Sequence, residues 1–327
     1  MQIAVAGSIA TDHLMTFRGS FADSLVVEQL DKISVSFLAE QLDIRRGGIA
    51  GNICFGMAVL GARPILVGAA GEDFADYRSW LSRHGVVTDH VHISQTQHTA
   101  RFVCTTDDDM AQIATFYAGA MSEARMIELG PIHERWGLDL VLVGADDPDA
   151  MLRHTEECRS RGIAFMADPS QQLAFADGPF IRRLVDGADY LITNEYESHL
   201  TATKTGWSQD EIDARVGTRV ITRGKDGVDI RGRGEEPIHV DVAGTVRQVD
   251  PTGVGDAFRA GFLVGLRSGL GHERAAQVGS VLAAYVLETV GTQEYVVTRE
   301  AFLDRVARAY GDDAAAEIAP AVQAARQ

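Results

Sequence analysis

Asp250-Pro-Thr-Gly-Val-Gly-Asp-Ala-Phe258, with the apolar, small-residue run Arg259 to Leu266 behind it, reads as a glycine-rich turn that opens into a buried helix. Gly253 and Gly255, with Val254 between them, let the backbone turn tightly with its N–H groups pointing inward. The helix dipole adds partial positive charge at the same point, so an anion such as a phosphoryl group in transfer is stabilised there. Asp256 stands one residue beyond that pocket, where a carboxylate can take the proton of an attacking hydroxyl. The plainer reading is a tight turn followed by an acidic residue at a helix start. The rest of the chain decides between the two.

Working outward, short apolar runs at Ile3 to Ala6, Leu140 to Val143, Ala164 to Ala167, Tyr190 to Thr193 and Arg219 to Thr222 alternate with helix-like stretches. Such alternation predicts an α/β fold with a doubly wound, parallel sheet flanked by helices. Ligands then bind beyond the carboxyl ends of the strands. The loops there are polar: Gly7-Ser8 with Asp12, Asp168 to Gln172, Asn194 to Glu197, and Arg223 to Gly227. Singly each is ordinary turn chemistry, and their convergence on one edge carries the weight.

Two stretches break the alternation. Leu30 to Arg46 and Thr99 to Tyr117 are β-rich, the second folding about Asp107-Asp108-Asp109. They predict a small β-sheet lid over the crevice, built from segments about 12–46 and 97–118 of a single domain over residues 1–327. The Ala-rich end from Asp312 to Gln327 reads as a surface helix with a frayed tail.

Composition narrows the function. Thirty Lys and Arg against 46 Asp and Glu leave a net charge of −16, which disfavours nucleic acid and anionic lipid as partners but not a nucleotide held by backbone amides. Cys54, Cys104 and Cys158 show neither metal nor disulfide spacing, in keeping with a reducing cytoplasm. No apolar run reaches membrane-spanning length, and the N-terminal residues read as a strand rather than a leader, so no membrane association is expected. The chain lacks G-x-x-x-x-G-K-[ST], and Phe258 stands where a dinucleotide fingerprint needs its third glycine.

A second glycine-rich stretch, Gly47-Gly-Ile-Ala-Gly-Asn-Ile-Cys-Phe-Gly-Met-Ala-Val-Leu-Gly61, carries one strongly polar side chain between Ile49 and Leu60, Asn52. A polar group in such company needs a hydrogen-bond partner, which a substrate hydroxyl or the residue's own helix end could supply. Gly48 allows close approach of a sugar to the main chain.

Together these stretches resemble the ribokinase (PfkB-type) carbohydrate and nucleoside kinases, whose C-terminal signature is close to D-T-x-G-A-G-D-x-F. Asp250 to Phe258 departs from it at Pro251 and Val254, losing a hydroxyl but keeping both glycines and both aspartates. The resemblance implies a ribokinase-like fold, Asp256 as catalytic base, and Gly253 to Asp256 as anion hole. It further implies that Ser8, Asp12, Gly48 and Asn52 bind substrate, with Asp12 accepting from vicinal ribose hydroxyls. Asn194-x-x-Glu197 matches the motif that organises magnesium and nucleotide phosphates, with Glu197 acting through water. Thr222-x-Gly224-x-x-Gly227 matches the loop along ATP. Asp250 matches a position that helps hold a monovalent cation, potassium, in many relatives, and similar proteins form homodimers through their lids.

Within the family the chain is most similar to the actinobacterial adenosine kinases, in Gly7 to Leu14, Ala167 to Gln172 and the Asp-Pro-Thr-Gly-Val-Gly-Asp variant. That similarity implies adenosine and MgATP as substrates. A purine calls for aromatic faces and amide edges, which Phe102 and Phe116 on the lid and Gln171 and Gln172 at the crevice could supply. The same aromatics also read as a miniature lid core, and the glutamines as solvated loop residues. A sugar kinase and a non-catalytic nucleoside-binding protein of the same fold remain the competing readings.

Overall fold

The computed structural model describes residues 1–24, 35–245 and 247–323. Its strands, in chain order, are β1 (Ile3–Ala6), β2 (Ala10–Phe17), β3 (Ala39–Gly47), β4 (Ile65–Gly71), β5 (Val91–Ser94), β6 (Ala100–Thr106), β7 (Gln112–Tyr117), β8 (Leu140–Val143), β9 (Ala164–Ala167), β10 (Tyr190–Asn194), β11 (Thr218–Thr222), β12 (Val228–Gly232) and β13 (Ile238–Val240). Nine of them form one sheet in the order β13-β12-β11-β10-β9-β8-β1-β4-β5. It is parallel from β5 to β11 and antiparallel only at the β11-β12-β13 edge. The sheet is thus mostly parallel, as the alternation of apolar runs predicts, and β1, β8 and β9 cover the expected residues.

Apolar side chains leave the central strands alternately to two cores. Ile3, Val5, Leu140 and Leu142 pack with the helices Ile49–Val59, Val254–Arg267 and His272–Leu287. Ala4, Ala6, Val141 and Val143 pack with Leu129–Trp136, Pro148–Arg161 and Gly178–Val185 on the opposite face. Both faces are covered, which explains why these strands read as continuous apolar runs. On the first face the helices Val254–Arg267 and His272–Leu287 approach closely at small residues: a Cβ at Gly261 would lie 2.6 Å from Gly279 Cα.

Strand β4 was not anticipated, because Ile-Leu-Val-Gly-Ala-Ala-Gly carries few β-branched residues. Its small side chains answer to the packing: a Cβ at Gly68 would stand 2.6 Å from the carbonyl of Gly7.

The expected lid is a separate four-stranded sheet, β3-β2-β6-β7. The β6–β7 hairpin turns about Asp107, whose carboxylate accepts from the backbone N–H groups of Phe21, Asp109 and Ala111. Residues 25–34, within the expected lid segment, lie outside the described residues. Asp12, read from the sequence as a loop residue, sits on strand β2 of the lid. The C-terminal stretch forms the helix Asp312–Ile318 with Ala314 and Ile318 buried, so it docks on the core; residues 324–327 lie outside the described residues. Among the described residues no helix is long and apolar enough to cross a membrane.

The chain runs from β1 out to β4 and β5, then returns to place β8 on the other side of β1. The switch point of the winding therefore lies at β1/β8, where Ser8 N donates to Ala145 O over 3.1 Å. Crevices form at such points.

Candidate active site

Gly253 makes the expected tight turn into the Val254–Arg267 helix as its N-cap, and does so in a left-handed conformation (φ +76°) that suits glycine. The N–H groups of the first helical turn lack acceptors within their own helix, which leaves those of Gly255 and Asp256 for an anion. A side chain at Gly253 would meet Thr292 Cγ2 at 2.8 Å, so the turn rests on a segment that the sequence did not single out.

That segment is Gly291-Thr-Gln-Glu294. Asp250 latches it: Oδ1 accepts from Thr252 N (2.9 Å) and Oδ2 from Gly291 N (3.0 Å). Burial opposes the Asp250 charge, but these amides prevail and its pKa falls below the usual value. In this structure the carboxylate ties two loops together, a role distinct from the cation site implied by resemblance.

Asp256 faces Asn52 across the crevice. Asn52 Nδ2 donates to Asp256 Oδ2 (2.8 Å), while Asn52 Oδ1 accepts from Thr292 Oγ1 and Gln293 Nε2, each at 2.9 Å. Asn52 does not cap its own helix, whose N-cap is Gly48 (φ +87°) without a side-chain bond. The expected hydroxyl-binding residue is thus held by protein groups and points a donor at Asp256. Burial raises the Asp256 pKa to about 7, against the Asn52 hydrogen bond and the Arg259 charge; Asp168 and Asp12 add to the rise.

Behind Asp256, Arg259 grips Asp168 with two bonds, Nε to Oδ2 (2.5 Å) and Nη2 to Oδ1 (2.7 Å). Its Nη1 donates to Gly255 O (3.1 Å). Asp168, placed by sequence among the crevice loops, is fully buried and committed to this pair.

Asp12 lies over Gly47: a Cβ there would stand 3.0 Å from Asp12 Oδ2. Burial lifts its pKa to about 6, with Arg45 opposing and Glu294 adding. Strand register places Arg45, Asp12, Phe102 and Phe116 side by side across β3, β2, β6 and β7. Phe102 and Phe116 therefore share the face of Asp12, with relative exposures of 36% and 52%. The lid-core reading of these rings is not what the structure shows. Gly48 closes the lid's root, since a Cβ would lie 2.6 Å from both Ser8 O and Ala10 N. The Ser8 hydroxyl, expected to bind substrate, accepts from Ile49 N (3.1 Å).

At the motif that the resemblance assigns to nucleotide, Asn194 and Glu197 form a reciprocal capping box on the Glu195–Thr205 helix, each bond 2.8 Å. Glu197 Oε2 is used there, and burial raises the residue's pKa. Thr222 ends β11, and Gly224 (φ +57°) and Gly227 (φ +84°) have the left-handed backbone that demands glycine. Gln171 is exposed and its Oε1 accepts from the Ser170 hydroxyl, whereas Gln172 Nε2 donates to Asp146 O (2.8 Å). In this structure the Gln172 amide holds the next loop.

That loop contains a residue that sequence reasoning missed. Asp146 follows β8 at the switch point, is 2% exposed, and its Oδ2 has no hydrogen-bond partner among the described residues. Burial raises its pKa to about 8, only partly offset by the Asp147 N–H. A turn-like Gly-Ala-Asp-Asp gave no sign of this. Arg259, Gln293 and Tyr77 were missed for the same reason, since their partners are remote in sequence.

With this geometry in view, the model of the pfkB family carbohydrate kinases matches residues 13–299. The chain belongs to the pfkB family. A solved structure of the Burkholderia thailandensis nucleoside kinase, in ligand-free form, is 35% identical with a TM-score of 0.85, covering 93% of this chain and 99% of that one. The Methanocaldococcus jannaschii nucleoside kinase is 25% identical over 262 residues, 80% of this chain and 85% of the relative. The Haemophilus influenzae ribokinase is 22% identical over 314 residues, 92% and 97% of the two chains. The fold is ribokinase-like, and this pfkB protein is a phosphotransferase that acts on a hydroxyl group.

Proposed function

We propose that the protein transfers the γ-phosphoryl group of ATP to the 5′-hydroxyl of adenosine, giving AMP and ADP. The observation that carries this reading is the placement of Asp256, half-buried at the start of the Val254–Arg267 helix beside the left-handed Gly253 turn. As the 5′-oxygen bonds to the γ-phosphorus, the bond to the bridging oxygen of ADP breaks and the hydroxyl proton passes to an Asp256 oxygen. The amides of the first turn stabilise the negative charge, and the helix dipole adds to them. Asp12 accepts from the ribose hydroxyls, with Ser8 and Gly48 beside it. Thr222, Gly224 and Gly227 line the nucleotide.

Magnesium belongs to this reading through phosphate oxygens and water. Among the described residues no group of three ligating side chains converges, which suits a phosphate-held ion and not an all-protein cage. Glu197, with one carboxylate oxygen outside its capping box, is the residue to hold the ion's water. Bound magnesium neutralises charge on the phosphates.

The purine assignment rests on Phe102 and Phe116 on the Asp12 face of the lid, and on the Burkholderia thailandensis nucleoside kinase having been solved with inosine. The ribokinases among the relatives favour a second reading, a sugar acceptor such as ribose. A homodimer through the lid is supported by the opposite lid face, where Leu42, Ile44 and Ile113 are 53%, 60% and 45% exposed.

The test is Asp256→Asn with adenosine, inosine and ribose as acceptors. Turnover should fall by roughly 10²- to 10⁴-fold while adenosine and ATP still bind. Near-normal turnover removes the base from the mechanism, and ribose used far better than either nucleoside removes the purine.

A further inference from the structure

A buried chain of side chains runs from Trp80 to Asp256. Trp80 Nε1 donates to Gln293 Oε1 (3.2 Å); Gln293 Nε2 donates to Tyr77 Oη (2.6 Å) and Asn52 Oδ1 (2.9 Å); Asn52 Nδ2 donates to Asp256 Oδ2 (2.8 Å). Gln293, Tyr77 and Asn52 are 1%, 4% and 7% exposed, so water does not compete for these groups. Gly51 makes room for the chain, since a Cβ there would collide with Tyr77 Oη.

An amide has nearly the same shape turned end for end, so something must choose its direction. Here two groups choose. An indole N–H can only donate, which turns Gln293 Oε1 toward Trp80. Tyr77 spends its one proton on the Gly47 carbonyl (3.0 Å), which can only accept, so its oxygen accepts from Gln293. Gln293 therefore offers N–H to Asn52, and Asn52 must face it with Oδ1. Thr292 Oγ1 lies 2.9 Å from both Arg46 O and Asn52 Oδ1 with one proton to give, so it accommodates this orientation without fixing it; Gln293 fixes it. What remains for Asp256 is the Asn52 NH2.

We propose that Gln293, polarised by Trp80 and Tyr77, is a positioning residue that holds Asn52 with its N–H toward the catalytic carboxylate. The inference rests on Asp256 as the base. A donor favours the carboxylate, whereas a reversed Asn52 would present oxygen to it and favour the protonated acid. The other groups facing Asp256 are Arg259 one turn on, Asp168 from the loop after β9, Asp12 from the lid, and Tyr295. None of them acts through the amides. Since Tyr77 holds Gly47, the relay also joins the root of the lid to the base.

The experiment compares Trp80→Phe, which removes the N–H but keeps a ring against Phe55, with Gln293→Met, which keeps the volume and removes both polar ends. In each, the acidic limb of kcat should move up by about one pH unit, a tenfold loss at low pH that disappears at high pH, with the KM for ATP unchanged. A kcat lowered equally at every pH overturns the proposal, because packing alone does that. Should neither variant fold, the unmodified enzyme decides by NMR. Its Asn52 side-chain amide signals should shift over the pH interval in which activity rises; signals that stay still overturn the proposal. Asp256→Asn separates the two layers: if it is active the base assignment fails, and if it is inactive while the relay variants keep the parent limb, only the relay fails.

Discussion

Arg259 and Asp168, 91 positions apart, meet in a buried two-pronged ion pair directly behind the Asp256 helix start. Burial disfavours the Arg259 charge, yet Asp168, with further help from Asp256 and Glu197, raises its pKa above the usual value. The pair fixes a positive charge near Asp256, which in the proposed role must become anionic.

Arg259→Met should therefore have two effects. Leaving Asp168 buried and unpaired costs about 3–5 kcal/mol, visible as a lower urea midpoint. The acidic limb of the rate profile should also move up, since a charge that favours ionised Asp256 is gone. Unchanged stability and an unchanged limb together would contradict this account.

The unmodified enzyme should lose activity as pH falls through about 7, the value to which burial raises Asp256. The sign follows from the role: only the ionised carboxylate accepts a proton, and protonation increases below that pH. A kcat–pH profile flat from pH 5 to about 8 would count against Asp256 as the titrating group.

Asp146 makes a prediction about stability. Its folded pKa of about 8 lies above the ordinary 3.8, so folding takes up a proton between those values. Its contribution is full at low pH and is lost as pH rises through about 8. Asp146→Asn should thus raise the melting temperature relative to the parent more at alkaline than at acid pH. A gap that does not change with pH would show that the carboxyl is not buried in this way.

Gly48→Ala should damage the lid's root. The residue holds φ +87° and its Cβ would lie 2.6 Å from two backbone atoms, so strain of about 1–3 kcal/mol is expected. The nucleoside KM should rise more than that for ATP, because the strain falls between β3 and the Asn52 helix. Equal rises in a steady-state assay would dissociate the lid from acceptor binding.

Phe102→Ala should weaken adenosine far more than ribose, since the ring can stack on a base and not on a free sugar. Titration of both acceptors in the presence of an unreactive ATP analogue would check it; equal losses would place the ring outside the base site.

Much of this was legible in the chain. Periodicity and turn residues are local, so Ile3 to Ala6, Leu140 to Val143 and Ala164 to Ala167 declared buried strands, and Gly253 declared a tight turn into a helix. Asp256 was singled out as the proposed base by its helix start together with the family resemblance, since the local stretch alone also reads as a tight turn before an acid. Polar partnerships could not be read so. Asn52 and Asp256 are 204 positions apart, and Asn52 and Gln293 are 241 apart. Nothing in Gly291-Thr-Gln-Glu294 announces that it supports the site, and Asp146 becomes unusual only when β8 is enclosed beside β1. The sequence determined which residues could carry charge, turn or strand. Only the tertiary structure decided which of them lose water and which groups they meet, because burial and hydrogen-bond direction are properties of surroundings assembled from distant segments.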